Sequence, residues 1–283
     1  MAKRAKFVKP ASRSIVSAQV VANKRISPSF IRVTIAGEEL STIAPMGADQ
    51  WFRMFIPQVG QSELRLPSAA SNLWYAQYLL MSKDTRPVVR NYTIRAYRAA
   101  GSGLFGETTE IDIDFAYHGD IGPASAWADT ASAGDEVALL DEGCIYNPTP
   151  EAKWQLLVGD ESALPAIIGI LESAPADLRA EVFVEIPNIE DKQDIPELAN
   201  VNVHWLVRED EHATPGVLTL ETLRAAELPE GPSYTFVAGE QALTTGLRRH
   251  LVNDRKFAKT DITFTGFWRQ LRSTFFSTPF WPR

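Results

Sequence analysis

The segment Arg90-Asn91-Tyr92-Thr93-Ile94-Arg95 carries residue types and spacing suited to ligand chemistry. On an extended strand Arg90 and Tyr92 project to one side, which sets a permanent cation beside an aromatic plane. A flavin nucleotide asks for such a pair. Its phosphate suits a guanidinium fork, its planar ring stacks on tyrosine, and the hydroxyl or amide of Thr93 can hydrogen-bond the redox-active edge. An exposed barrel strand of ordinary charge has the same pattern, so the segment needs support from elsewhere.

Support comes from His118-Gly119-Asp120-Ile121-Gly122-Pro123-Ala124-Ser125-Ala126-Trp127-Ala128, which leaves a strand through two glycines and enters a short helix. Such a turn presents backbone N–H groups at a positive dipole end, an anion site. Ser125 stands near the helix start, and Trp127 and Ala128 are placed to pack the helix on the strands. A third segment, Gly159-Asp160-Glu161-Ser162-Ala163-Leu164-Pro165-Ala166, reads as a helix start: Ser162 can cap it, Pro165 fits its first turn, and two carboxylates suit its dipole. Those carboxylates would repel a pyrophosphate, so a dinucleotide bound there should present its uncharged nicotinamide end. Ala238-Gly239-Glu240 repeats the strand, small turn and acid. The literal G-x-G-x-x-G of Gly101 to Gly106 lies between two strands rather than between a strand and a helix, and reads as a hairpin loop.

The elements that must position these residues fall into two rhythms. From Ser14 to Tyr146 apolar residues recur with period two: Ile15 to Val21, Phe30 to Ile35, Trp51 to Ile56, Tyr92 to Tyr97, Ile111 to Tyr117 and Glu136 to Leu140. The expectation is an antiparallel six-stranded barrel over 14–147. In Ile111-Asp112-Ile113-Asp114-Phe115 both aspartates should take the solvent face. Pro67 to Arg86, with a short helical look over Trp74 to Leu80, reads as a loop over the barrel mouth. After the turn-rich Asn147-Pro148-Thr149-Pro150, strands and helices alternate across 151–270, which implies a parallel-sheet α/β domain covered on both faces. Residues 271–283 form a C-terminal tail with Phe275, Phe276, Phe280 and Trp281.

At 283 residues the chain has room for two cores. The single Cys144 excludes an internal disulfide, no Cys/His spacing suggests a metal site, and no apolar run suggests a signal peptide or membrane span, so a reducing cytoplasm is expected. Net charge is −7; residues 1–14 carry +5 and 248–283 carry +6, which leaves −18 on the body. An acidic body argues against a nucleic-acid partner, while the basic C-terminal end can attract a small anion.

Taken in order, Arg90-x-Tyr92-Thr93-x-Arg95, His118-Gly119 with Gly122-Pro123-Ala124-Ser125-x-Trp127, Gly159 to Ala166, Ala238-Gly239-Glu240 and Gly266-Phe267-Trp268-Arg269 closely resemble the siderophore-interacting protein family. These are FAD-dependent ferric-siderophore reductases of the ferredoxin-reductase-like superfamily. The resemblance implies a flavin-binding β-barrel followed by an NAD(P)H-binding α/β domain. It implies that Arg90, Tyr92, Thr93 and Trp127 belong to the FAD site, that His118 and Gly119 lie against the flavin, and that Ala124 and Ser125 take its pyrophosphate. Asp160, Glu161 and Ala238, Gly239 and Glu240 would line the nicotinamide side, with Thr93, Asp160 and Glu161 the catalytic candidates. Ser162 stands where the family usually has threonine, and Phe267 replaces its usual tyrosine.

The expected reaction carries hydride from NADH or NADPH to FAD and single electrons to Fe(III) in a siderophore. A reductase for another acceptor and a non-catalytic siderophore binder are the alternatives. A 2′-phosphate wants a cation after the second α/β strand, where Glu190, Asp191 and Asp194 face only Lys192; this points to NADH, with Arg208 the residue able to reverse it. For an anionic ferric siderophore, Lys259 and Arg269 beside the last strand are the expected capture cations.

Overall fold

The computed structural model describes residues 5, 7–58, 60–61, 63–68, 73–117, 122–210 and 213–270. Its first sheet holds β1 (Ile15–Ser27), β2 (Phe30–Gly37), β3 (Trp51–Ile56), β4 (Val88–Thr93), β5 (Ala96–Arg98), β6 (Thr109–Ala116) and β7 (Glu136–Gly143). All pairings are antiparallel, in the order β4-β3-β7-β1-β2-β6-β5. Seven strands replace the six expected, because Tyr92 to Tyr97 is not one strand. The Ile94 N–H donates to Gln50 O beside β3, and the next N–H, of Arg95, donates to Asp112 O in β6. The chain thus changes partners within two residues. Since β4 and β5 are the opposite edges of the sheet, this corner brings the edges together and closes the barrel.

Alternation fills the interior: Val16, Ala18 and Val20 of β1, Phe52 and Met54 of β3, and Ile111, Ile113 and Phe115 of β6 form one buried cluster. The other face of β6 is buried too, which corrects the expectation for Asp112 and Asp114. Arg32 of β2 forks onto Asp114 at 2.6 and 2.8 Å, and Arg98 of β5 forks onto Asp112 at 2.8 and 2.6 Å. Strands on both sides of β6 supply these arginines, so the carboxylates are covered by their own counterions. The 101–106 glycine loop is the β5–β6 hairpin tip, tied to Glu110 through the Leu104 and Phe105 N–H groups at 2.8 and 2.7 Å. Helix α1 (Trp74–Leu80) packs Trp74 with Phe55, Val89, Ala138 and Leu140 on the outer wall of the barrel, not over its mouth.

Helix α2 (Pro123–Thr130) closes the barrel from the side, packing across β2, β4 and β6 with Ala124, Ala128 and Ala131 in the core. Its last carbonyls are satisfied by Asn23 Nδ2, which donates to Ala128 O at 2.7 Å and Ala131 O at 2.8 Å.

The second sheet is parallel: β8 (Trp154–Gly159), β9 (Ala180–Ile186), β10 (Val201–Val207), β11 (Ser233–Glu240) and β12 (Ile262–Trp268), ordered β10-β9-β8-β11-β12. On one face lie α4 (Val217–Ala225) and α5 (Gln241–Asn253), whose Leu243, Leu247 and Leu251 are buried at i, i+4 and i+8. On the other lies α3 (Leu164–Glu172), buried at every residue from Leu164 to Leu171. A helix apolar all round needs cover on both sides, and α3 is wedged between its own sheet and the barrel. Phe30 of β2 joins the α3 cluster, and Gly169 lets α3 approach the barrel turn at Ala48.

A methyl group at 169 would collide with the Ala48 carbonyl oxygen. Gly169→Ala should therefore destabilise the chain by about 1–3 kcal/mol through overpacking, although the same change in a free helix stabilises by about 1 kcal/mol. Urea titration of the two proteins checks the sign.

Candidate functional site

Two groups of candidate residues occupy two different places. On β4, Arg90 and Tyr92 share the face that carries Val88 and, across the ladder, Met54 and Phe52. Tyr92 packs at 4.2 Å on Phe115, which in turn contacts Trp127 of α2 at 5.8 Å. Burial raises the Tyr92 phenol above its ordinary pKa. Arg90, between Val88 and Tyr92 on this face, is exposed; its Nη1 donates to the Val89 carbonyl at 2.8 Å, and no acid among the described residues pairs with it. Thr93 takes the opposite face and is buried.

Beside this row stands the start of α2. Gly122 is extended at the N-cap and offers no side-chain cap, and Pro123 fills the first helical position without an N–H. The N–H groups of Ala124 and Ser125 find no acceptor among the described residues. An unpaired guanidinium, a tyrosine on the same face and open N–H donors make a set that fits a flavin dinucleotide: cation and donors for phosphate, aromatic edge for a ring. His118 and Gly119 lie outside the described residues.

The second group sits at the carboxyl ends of the parallel strands, between β8 and β11. There the strand order reverses direction, the crevice where open α/β sheets bind ligands. Asp160 follows β8 and is wholly buried. Its Oδ1 accepts from the Ser162 N–H (2.9 Å) and the Ser162 hydroxyl (2.5 Å); its Oδ2 accepts from the Glu240 N–H (2.6 Å) and Trp268 Nε1 (2.9 Å). One carboxylate thus fastens β8, β11 and β12 together. Gly239 at φ +129° makes room, since a Cβ there would lie 2.7 Å from the Asp160 carboxylate. Burial, with Glu161 adjacent, pushes Asp160 up to about 7.

Glu161 is also wholly buried and faces an arginine. Arg208, just past β10, donates to both its oxygens at 2.9 and 2.7 Å and to Glu185 of β9 at 2.9 Å. Glu185 further accepts from the Gly216 N–H at 2.7 Å and from the Thr219 N–H and hydroxyl at 2.9 and 2.8 Å. Burial raises the Glu161 carboxyl, against the pull of Arg208. Glu240 caps α5 through the Ala242 and Leu243 N–H groups and accepts the Gln270 N–H at 3.2 Å.

The structure therefore gathers Asp160, Gly239 and Glu240 at one turn, with Ala238 buried behind them, and Arg90, Tyr92, Trp127, Ala124 and Ser125 at another. Asp160 and Glu161 present no surface to solvent. Ser162 donates to the capping carboxylate of Asp160 instead of capping the helix itself. Lys259 and Arg269 are both exposed, but they flank opposite ends of β12 and cannot line one pocket; Arg269 is at the end that carries Asp160 and Glu240. Arg208 is held by two carboxylates and is not free for a phosphate. Sequence reasoning missed the Trp268 indole as a partner of Asp160, because nothing local connects residues 108 positions apart. Among the described residues no three His, Cys, Asp or Glu side chains are grouped to hold a metal ion, and no helix is long and apolar enough to cross a membrane.

Because folded Asp160 titrates near 7 and a free aspartate near 4, the folded state holds its proton longer. Its contribution to stability should fall as pH rises from about 4 to about 7 and stay level above that. Urea midpoints of wild type and Asp160→Asn across this range should differ by that slope. Arg208→Ala strands two buried carboxylates and should cost about 3–5 kcal/mol in the same assay.

Two family models match the chain: the siderophore-interacting FAD-binding domain over residues 19–144 and the siderophore-interacting protein over residues 152–271. The ferric vibriobactin reductase of Vibrio cholerae is 32% identical over 253 residues, covering 88% of each chain. The crystal structure of a siderophore-interacting protein from Aeromonas hydrophila superposes with TM-score 0.70 at 31% identity, over 92% of this chain and 100% of that one. A siderophore utilization protein from T. fusca gives TM-score 0.78 at 28% identity, over 94% and 97%. With a barrel bearing the Arg90–Tyr92 row, a parallel sheet organised at Asp160, and these likenesses across nearly its whole length, the chain belongs to the siderophore-interacting protein family.

Proposed function

We infer that the chain is an FAD-dependent ferric-siderophore reductase driven by a reduced nicotinamide nucleotide. The observation that carries this reading is the unpaired Arg90 on one strand face with Tyr92, beside the open N–H groups of Ala124 and Ser125. The ferric-reductase name of the Vibrio cholerae relative supplies the acceptor. Bound FAD supplies the conversion of a two-electron hydride donor into one-electron reductions, chemistry no side chain offers. The balance is one NAD(P)H and two Fe(III) giving NAD(P)+, a proton and two Fe(II).

In this reading Arg90, Ala124 and Ser125 hold the FAD phosphates, Tyr92 and Trp127 frame the flavin, and Thr93, buried on the opposite strand face, stays assigned to it by the family motif alone. His118 and Gly119 stay assigned to the flavin by the family motif. The barrel over 14–147 is the flavin lobe and 151–270 the nucleotide lobe. Asp160, Glu161, Gly239 and Glu240 shape the nicotinamide turn from within, and Asp160 and Glu161 act by holding it. NADH is the favoured donor: Arg208 is engaged by Glu161 and Glu185, Asp191 is buried against the barrel, and Lys192 stands 6.0 Å above the Trp205 ring. The exposed Arg269 is the cation placed to draw in an anionic ferric siderophore, while Lys259 is too far along β12. Use of NADH and the lone Cys144 suit the cytoplasm.

Protein loaded with FAD should be bleached by NADH without oxygen and recoloured by a ferric siderophore. Arg90→Ala should weaken FAD binding roughly tenfold to a hundredfold, the loss of one charged hydrogen bond. Isothermal titration with FAD checks this; equal affinity in the folded variant would remove Arg90 from the site.

A further inference from the structure

The two lobes meet along a seam that has no part in the binding groups above. The barrel turn at 47–50 rests on the end of α3, where the Ala48 N–H donates to Ser173 Oγ at 2.8 Å. Beside this contact a cavity of about 130 Å3 separates the lobes, lined by Gln50, Ile94, Arg95, Glu172 and Ser173 among others. Across this gap the lobes are not in van der Waals contact, so a polar link is what connects them there.

Arg95 bridges that gap. It leaves the two-residue corner that closes the barrel, and its Nη1 reaches Glu172 Oε2 at 3.0 Å. Its side chain is only 14% exposed, and its Nε is buried without a hydrogen-bond partner. A desolvated donor left unsatisfied calls for an explanation other than local stability. Glu172 is the last residue of α3, where a cation also meets the negative end of the helix dipole. At its other end α3 begins directly after the Asp160 turn, and on the barrel side Arg95 follows Tyr92 and Thr93 by two or three residues. The ion pair thus joins the corner that follows the flavin strand to the helix that starts at the Asp160 turn.

We propose that Arg95 is a positioning residue for hydride transfer, setting the approach of the nicotinamide turn to the flavin strand through its pair with Glu172. The inference rests on the flavin reading above. Donor and acceptor must meet within about 3–3.5 Å, and a misplacement of about 1 Å costs on the order of a hundredfold in rate.

The test compares wild type, Arg95→Ala, Arg95→Lys, Glu172→Ala and the double Ala variant, each loaded with FAD. In Arg95→Ala and Glu172→Ala, flavin reduction at saturating NADH should slow about tenfold or more, with an altered isotope effect from NADH deuterated at the transferred position. FAD affinity should stay at the wild-type value, because the flavin group lies within the barrel lobe and does not need the lobes in register. Arg95→Lys should recover most of the rate, and the double variant should be no slower than the worse single one. Independently of activity, amide hydrogen exchange at 47–50 and 169–173 should quicken in both Ala variants. Should Arg95→Ala fail to fold, the surface variant Glu172→Ala carries the same expectations. Unchanged reduction and exchange in Glu172→Ala, in a protein whose wild type is bleached by NADH, overturns the inference alone. A wild type that neither binds FAD nor is bleached overturns the reading and the inference together.

Discussion

A carboxylate buried without solvent is tolerated only where donors replace its water, and Asp160 meets four of them from three strand ends. That one requirement fixes the turn after β8, the path of β11 through Gly239 into α5, and the lean of the Trp268 indole at the end of β12. It also decides what the crevice can be. The carboxylate oxygens are used up inside the turn, so the surface facing a ligand is made of backbone and of the neighbouring elements that Asp160 holds.

Much of the acidity of the chain serves the same purpose. Asp49 accepts the Ile145 and Tyr146 N–H groups at 3.0 to 3.2 Å and so pins the end of the barrel to the turn that precedes β3; burial raises it to about 6. Asp191 accepts the Ser27 hydroxyl at 2.6 Å and the Ser29 N–H at 2.8 Å, which clasps the β1–β2 hairpin onto the second lobe. Glu172 takes Arg95. Two acids, Asp191 and Glu172, therefore join the lobes at two points, and the hydrophobic share of the seam is completed by Phe30 and Ile145. The −18 counted for the body is a net figure, and the buried clusters make up little of it. Asp112, Asp114, Glu110, Glu161 and Glu185 are counted together with their partners Arg32, Arg98 and Arg208, so an approaching anion still meets an acidic body away from the basic C-terminal end.

What could be read from the sequence was what local periodicity encodes. Period-two runs gave most of the barrel strands, the alternation after residue 150 gave the parallel sheet, and strand parity placed Arg90 with Tyr92. The errors share one cause. The break at Ile94–Arg95 is set by which strand each N–H meets across the barrel, and the burial of Asp112 and Asp114 by arginines on β2 and β5. The place of α1 follows from the outward row of Phe55, Val89 and Leu140. Arg208 looked like a free cation because its two acids lie 47 and 23 positions away. Each of these depends on a partner distant in the chain, which no window of residues contains.

The arginines make the distinction plain, because the same side chain serves opposite ends in one protein. Arg32, Arg98 and Arg208 are each forked onto buried carboxylates; their charge is neutralised by the fold, and removing them would leave acids stranded. Arg95 has one acid and, among the described residues, one nitrogen without a partner, and its place is the seam between the two lobes. Arg90 has no acid among the described residues, although the barrel is rich in them and a pairing would have been easy to evolve on a neighbouring strand. Its only hydrogen bond among the described residues is to the Val89 carbonyl, so the rest of its fork is free of protein acceptors there. Met54 stands opposite Arg90 across the ladder where a carboxylate would compete for the guanidinium fork, which is the arrangement the proposed phosphate contact needs.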